Sequence, residues 1–184
     1  MSLNRVTLIV VVLFYAVSAL GQSKKFTVQK SEMSFTSNAE LELIKAQSTE
    51  TQGLIDPTTN QFAFSVPVQS FKGFNSDLQR QHFNDNYMES SKYNKASFTG
   101  KIIEQVNYTQ DSVYTVRAKG ELDIHGQKQT RIIKAKLTVR KSDILIDADF
   151  NVPLADHNIS IPKIVSQKIA TEIDVKFRGT LVQQ

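Results

Sequence analysis

The 184-residue chain contains no cysteine and no tryptophan, and only three histidines. Without cysteine there is no disulfide framework, no thiol nucleophile, no thiolate metal site and no lipid attachment through a cysteine. Three histidines supply an imidazole metal cluster poorly. Seven glycines and four prolines are too few for a linker-rich or collagen-like chain. Charge of one sign is also scarce: 22 Lys and Arg against 18 Asp and Glu leave a formal net charge of +4, with no dense basic run. Nucleic acid is therefore not expected as a partner. Lys24-Lys25, Arg131 with Lys134 and Lys136, and Arg140-Lys141 come nearest to clusters, and alternation with apolar residues places them on the solvated side of strands.

Catalytic signatures are missing as well. No nucleophile elbow, phosphate-cradling glycine loop or HExxH pattern is present. His82 with Asp77 or Asp85, His125 with Asp123, and His157 with Asp156 pair an imidazole with a carboxylate. Adjacent residues on a strand point to opposite faces, so these neighbours do not make a triad. His125, at a hairpin, is assigned a structural role bonding the turn backbone, and no enzyme activity is expected.

What is present begins with a leader. Asn4 and Arg5 precede an apolar run over residues 6–20, followed by Gly21-Gln22. This order is that of a secretory signal peptide, with cleavage before Gln22 or nearby after Val17-Ser18-Ala19. About 15 apolar residues fall short of the roughly 20 that a spanning helix needs. The reading is a signal peptide over 1–21, a single domain over 22–184, and a periplasmic or secreted protein.

From Phe26 onward the chain alternates between apolar and polar residues, the mark of half-buried antiparallel strands. Ile144, Ile146, Ala148, Phe150 and Val152 share one face against Leu145, Asp147, Asp149 and Asn151. Ile169, Thr171, Ile173, Val175, Phe177, Gly179 and Leu181 hold one parity opposite Glu172, Asp174, Lys176 and Arg178. Tyr114, Val116, Ala118, Gly120, Leu122 and Ile124 repeat the pattern, as do Ile133, Ala135, Leu137 and Val139, and earlier Phe62, Phe64, Val66 and Val68.

Turn residues at 56–60, 110–112, 125–126 and 142–143 separate these runs, and with 26–30, 34–37, 39–46 and 96–104 the count reaches eight or nine strands. One apolar and one charged face imply a shared interior, and strands of ten or more residues favour a barrel over a sandwich. The expected fold is all-β: an antiparallel barrel of eight or nine strands with a short helical insertion around residues 74–90. Residues 73–77 lead into an N-cap and 78–83 form the helix, its apolar side formed by Phe74, Leu78, Phe83, Tyr87 and Met88. This segment is expected at one mouth, as a plug or a lid, and a second connection over 153–165 covers the same rim or the opposite one.

The stretches Gly53-Leu54-Ile55-Asp56, FAFSVPV over 62–68, Arg80-Gln81-His82-Phe83, Tyr93-Asn94-Lys95-Ala96-Ser97-Phe98, GELDIHG over 120–126 and DHNISIP over 156–162, in this order, resemble the YceI-like family of secreted polyisoprenoid-binding proteins. Asn94 and Gln81 depart from the family's usual Pro after the Tyr and acid before the His, which bears on loops and not on the fold. The resemblance implies a lipocalin-like, eight-stranded antiparallel β-barrel whose elongated interior takes up the chain of an amphiphilic isoprenoid.

An eight-stranded barrel either holds one small ligand or is filled by side chains, and the pattern alone leaves both open. If hollow, its lining is expected to be Phe62, Phe64, Val66, Phe83, Tyr87, Phe98, Val116, Leu122, Leu137, Ile146, Phe150, Ile173 and Phe177. Arg80, His82 and Tyr87 are candidates to orient a polar head at the rim. Gly100, Gly120 and Gly179 lie on the apolar parity, either to leave room for a chain or to bend strands. The expected ligand is a hydrophobic or amphiphilic lipid, with no metal and no cofactor beyond a bound isoprenoid lipid; transient membrane contact and a homodimer stay open.

Overall fold

The structure is a computed structural model that describes residues 24–184. The expected signal peptide over 1–21 lies outside the described residues. None of the described helices is long and apolar enough to cross a membrane.

The strands are β1 (Phe26–Asn38), β2 (Leu43–Ser48), β3 (Gln52–Ile55), β4 (Gln61–Pro67), β5 (Lys95–Ile102), β6 (Ser112–Ile124), β7 (Gln127–Val139), β8 (Asp143–Pro153) and β9 (Glu172–Gln183). Every neighbour is antiparallel, and pairing of β9 with β1 closes the sheet. The barrel has eight positions because β2 and β3 share one. β2 pairs with the upper part of β1 (Met33↔Ser48 to Asn38↔Leu43), whereas β3 pairs with its lower end (Phe26↔Ile55, Thr27↔Leu54). The ambiguity between eight and nine strands is thus a single broken strand.

The stretches 26–30 and 34–37, read from sequence as separate, form one strand of 13 residues. Between Val28 and Lys30 the register against β9 shifts, a bulge that moves the buried parity from Phe26 and Val28 to Ser31, Met33 and Phe35. A parity change from one extra residue looks like a strand end in a sequence.

Across the β6–β7 hairpin Ile124 faces Gln127, with His125 (φ 55°) and Gly126 (φ 69°) between them. Two positive φ values are what a two-residue type I′ turn requires. Arg131 is not on the solvated side: it shares the parity of Ile133 and is largely covered. The β7–β8 ladder covers Lys136↔Asp147 to Val139↔Ile144. Further up, side chains join the strands: Arg131 Nη2 donates to Asn151 O (2.8 Å), and Gln129 Nε2 donates to Asp156 O (2.7 Å). A long cation on the inner parity is stable here because its head leaves through the seam.

The helix α1 (Asp77–His82) begins one residue earlier than expected and is capped by Ser76, whose Oγ accepts from Gln79 N–H. A π-turn over Phe83–Tyr87 continues it. This insertion over 68–94 and the connection over 154–171 stand at the same end of the barrel, beyond the ends of β4, β6 and β8 and the start of β9. The other end is filled: Phe26, Ile55, Ile144 and Leu181 are buried there, with Tyr108 packed against Phe26 at 5.8 Å between ring centres.

Candidate functional site

Above this filled end the inner faces enclose a cavity of about 580 Å³, within the roughly 300–1,000 Å³ usual for small-molecule sites. The interior is therefore hollow toward the insertion and filled at the far end. Each residue expected to line a hollow barrel does so: Phe62, Phe64 and Val66 from β4, Phe98 from β5, Val116 and Leu122 from β6, Leu137 from β7, Ile146 and Phe150 from β8, Ile173 and Phe177 from β9, and Phe83 and Tyr87 from the insertion. Phe62 and Phe98 meet at 4.9 Å between centres, and Phe64 meets Phe177 edge-on at 5.6 Å.

Room is made by alanine rather than glycine. Ala118, Ala135 and Ala148, on the successive strands β6, β7 and β8, line the cavity. The glycines leave no room for a ligand. A Cβ on Gly100 would strike Lys119 O at 2.1 Å and one on Gly120 would strike Thr99 O at 2.3 Å, so this facing pair allows two backbones to approach closely. Gly179 and Gly53 lie beneath the rings of Phe177 and Phe64. The alanines were legible on the apolar parity, but single small residues attract less notice than glycine.

Around the mouth, Phe35 from β1 gathers rings from the insertion. Its centre lies 5.3 Å from Phe71, 5.9 Å from Phe74 and 5.4 Å from Phe83. These aromatics, with Ala46 and Val66, form a second apolar cluster that seats the insertion on β1, β2 and β4. The insertion is plug and rim together: Phe74 and Phe83 pack, while Leu78, His82, Tyr87 and Met88 face the cavity. Phe35, Phe71, Phe74, Met33 and Met88 also line it and were missed as site residues, Phe35 because it follows the bulge.

Polar groups reach the cavity at its mouth through Glu42, Gln79, His82 and Lys168. Gln79 Nε2 donates to Glu42 Oε1 (2.8 Å). Burial raises the Tyr87 hydroxyl above the ordinary tyrosine value. Arg80 is turned away: its Nη2 donates to Gln69 O (3.2 Å), which removes it as a rim candidate.

The opposite side of the insertion is fastened through histidines. His125 Nε2 lies 2.8 Å from Glu89 Oε2 and its Nδ1 3.1 Å from His157 O, with the Tyr93 ring edge-on at 4.6 Å. His157 is fully buried and donates from Nδ1 to Gln127 O (3.1 Å). The neighbouring acids take no part in these contacts. His125 meets Glu89 instead of Asp123, and Asp156 faces Arg131 at 3.6 Å. His125 is structural as expected, but it joins the insertion and the 154–171 connection rather than its own turn. Among the described residues no group of three or more His, Asp or Glu is placed to hold a metal ion.

A model of the YceI-like domain matches residues 15–181. The chain belongs to the YceI-like family. No curated protein matches it by sequence. Solved structures similar to this YceI-like chain include a polyisoprenoid-binding domain from Saccharophagus degradans implicated in plant cell wall breakdown, with a TM-score of 0.71 at 15% identity over 86% of this chain and 98% of that one. BcnA from Burkholderia cenocepacia gives a TM-score of 0.68 at 16% identity, covering 82% and 95% of the two chains. A YceI protein from Campylobacter jejuni gives 0.58 at 15% identity, covering 76% and 84%. At such identities the likeness shows the fold: a closed eight-stranded antiparallel barrel with one short helix.

Proposed function

We propose that this YceI-like protein is a non-catalytic carrier that holds the hydrocarbon chain of an amphiphilic isoprenoid lipid inside the barrel. The observation that carries this reading is an apolar cavity of about 580 Å³, filled in at one end and reaching polar groups at the other. Such a shape suits a molecule with an oily chain and a polar head. Affinity comes from apolar area withdrawn from water, at about 25 cal/mol per Å², and Glu42, Gln79, His82 and Lys168 are placed to meet the head. The polyisoprenoid-binding domain among the similar structures supports the choice of chain. The leader read over residues 1–21 supports work in the cell envelope, and the N-terminal residue of protein recovered from that compartment checks it.

The test uses Ala135, a small residue lining the hollow. Ala135→Leu fills space that is empty, so the barrel is expected to stay as stable as the parent while uptake of an isoprenoid quinone from detergent micelles falls by about tenfold or more. Glu121→Gln, on the outer face, serves as the control. Mass spectrometry of organic extracts of natively purified parent is expected to reveal a long-chain lipid. A parent that yields no lipid and takes up none, or an Ala135→Leu variant that loads as well as the control, overturns the carrier reading.

A further inference from the structure

The connections at the open end leave large aliphatic side chains in water. Leu41 is 63% exposed, Leu43 48%, Leu78 59% and Ile164 92%. They belong to separate segments that hydrogen bonds draw together at one rim: Leu41 N–H donates to Gln167 O (2.8 Å), the Asn75 side chain donates to Leu43 O (3.1 Å), and Gln79 reaches Glu42. Leu78 is exposed and also lines the cavity, as does Val165 next to Ile164. Leu78 and Val165 thus connect the cavity wall to a rim on which exposed aliphatic side chains stand beside Glu42, Gln79 and Lys168.

The charges on these segments cancel: Glu40, Glu42 and Asp77 stand against Arg80, Lys163 and Lys168. A rim without a net field has nothing to steer a strongly charged macromolecule, and the large side chains it exposes are the aliphatic ones around the mouth of an apolar cavity. We infer that this rim, formed by Leu41, Leu43, Leu78 and Ile164, is the face on which the protein docks onto a lipid bilayer, so that a lipid chain passes between bilayer and barrel. The inference rests on the carrier reading for its purpose, because a chain released through water would expose about 0.8 kcal/mol of unfavourable surface per methylene. Direct passage avoids that exposure, and aliphatic side chains set into the bilayer hold the mouth against it.

The experiment is flotation of the purified protein with vesicles of phosphatidylethanolamine and phosphatidylglycerol. The parent is expected to float, and to do so nearly as well at about 1 M as at about 0.1 M salt, since an apolar contact is not screened. In Leu41→Ser/Ile164→Ser, neither changed residue lines the cavity, and vesicle binding is expected to drop on the order of tenfold or more. Loading from detergent micelles is expected to match the parent in this variant. Val113→Ser, an exposed aliphatic at the filled end, is expected to float like the parent. Equal flotation of parent and double variant overturns the inference, as does a parent that loads lipid from micelles but never floats. A parent that forms dimers lost in the double variant, with no flotation, assigns the rim to a second copy instead. A parent that floats yet never loads lipid keeps the docking face and removes the carrier reading.

Discussion

The two ends of the barrel share one alternating pattern and one set of strands, yet one end is packed solid and the other encloses a void. At the filled end the connections are short or folded inward, and Phe26, Ile55, Ile144 and Leu181 belong to one buried cluster against which Tyr108 packs. Asn60, in the left-handed region (φ 59°), completes that end: it accepts from the Tyr108 hydroxyl (3.0 Å) and donates to Glu104 O (3.2 Å). At the open end two long connections rise beside the two-residue His125-Gly126 turn, and the insertion is held by an aromatic cluster on one side and by His125 on the other. The difference teaches that parity places side chains inside, whereas their volume and the reach of the connections decide whether the inside is full. It also separates two roles, with cohesion concentrated at the filled end and space for a ligand at the other.

The sharpest way to break this comparison is one substitution made at both ends. Leu181→Ala removes a fully buried side chain from the filled end, and a loss of about 2–5 kcal/mol in urea unfolding is expected, nearer the top of that range because a new cavity opens. Leu122→Ala only enlarges an existing void, so its cost is expected nearer the bottom. Equal costs would mean that the upper barrel is packed in solution.

A smaller effect is expected at the fastening of the insertion. His125→Asn keeps a residue tolerant of positive φ in the turn but withdraws the ring from Glu89 and His157 O. A loss of about 1–3 kcal/mol is expected, with hydrogen exchange accelerated over residues 83–93 and unchanged around Leu181. Uniform acceleration would show that the two ends open as one unit.

The smallest effect belongs to Tyr108. Burial, with the charge of Asp56 adding to it, pushes its hydroxyl up to about 12 from an ordinary 10. The folded state thus keeps a proton that the unfolded chain gives up, and this contribution is complete below pH 10 and lost as pH rises toward 12. Tyr108→Phe is expected to cost about 1 kcal/mol at neutral pH through the lost bond to Asn60. It is also expected to flatten the fall in stability across that alkaline window, followed by denaturant titration at stepped pH. An unchanged alkaline slope would place the hydroxyl in water and the filled end ajar.

The wall of the cavity was legible because period-two alternation is a local property of an extended chain. Phe64, Phe98, Leu122 and Phe177 face inward wherever their strands pair, provided each strand keeps its register. Legibility failed where register or direction changed. The bulge after Val28 concealed Phe35, and the splayed β7–β8 seam gave Arg131 an exit that strand parity does not foresee. Glycines on the inner parity suggested room for a ligand, but their neighbours' backbones and rings already occupy that space.

By itself, then, the sequence determined an all-β chain with one apolar face, the turns between its strands, a single helical insertion and most of the residues that surround the interior. Those follow from alternation, turn chemistry and capping, which act over a few residues at a time. Only the tertiary structure decided that β2 and β3 share one barrel position, that both long connections rise at one end, and that His125 reaches Glu89 rather than Asp123. It also decided that the barrel is hollow above and filled below. These depend on the summed volume of side chains brought together from distant strands, and no local pattern along the chain encodes that sum.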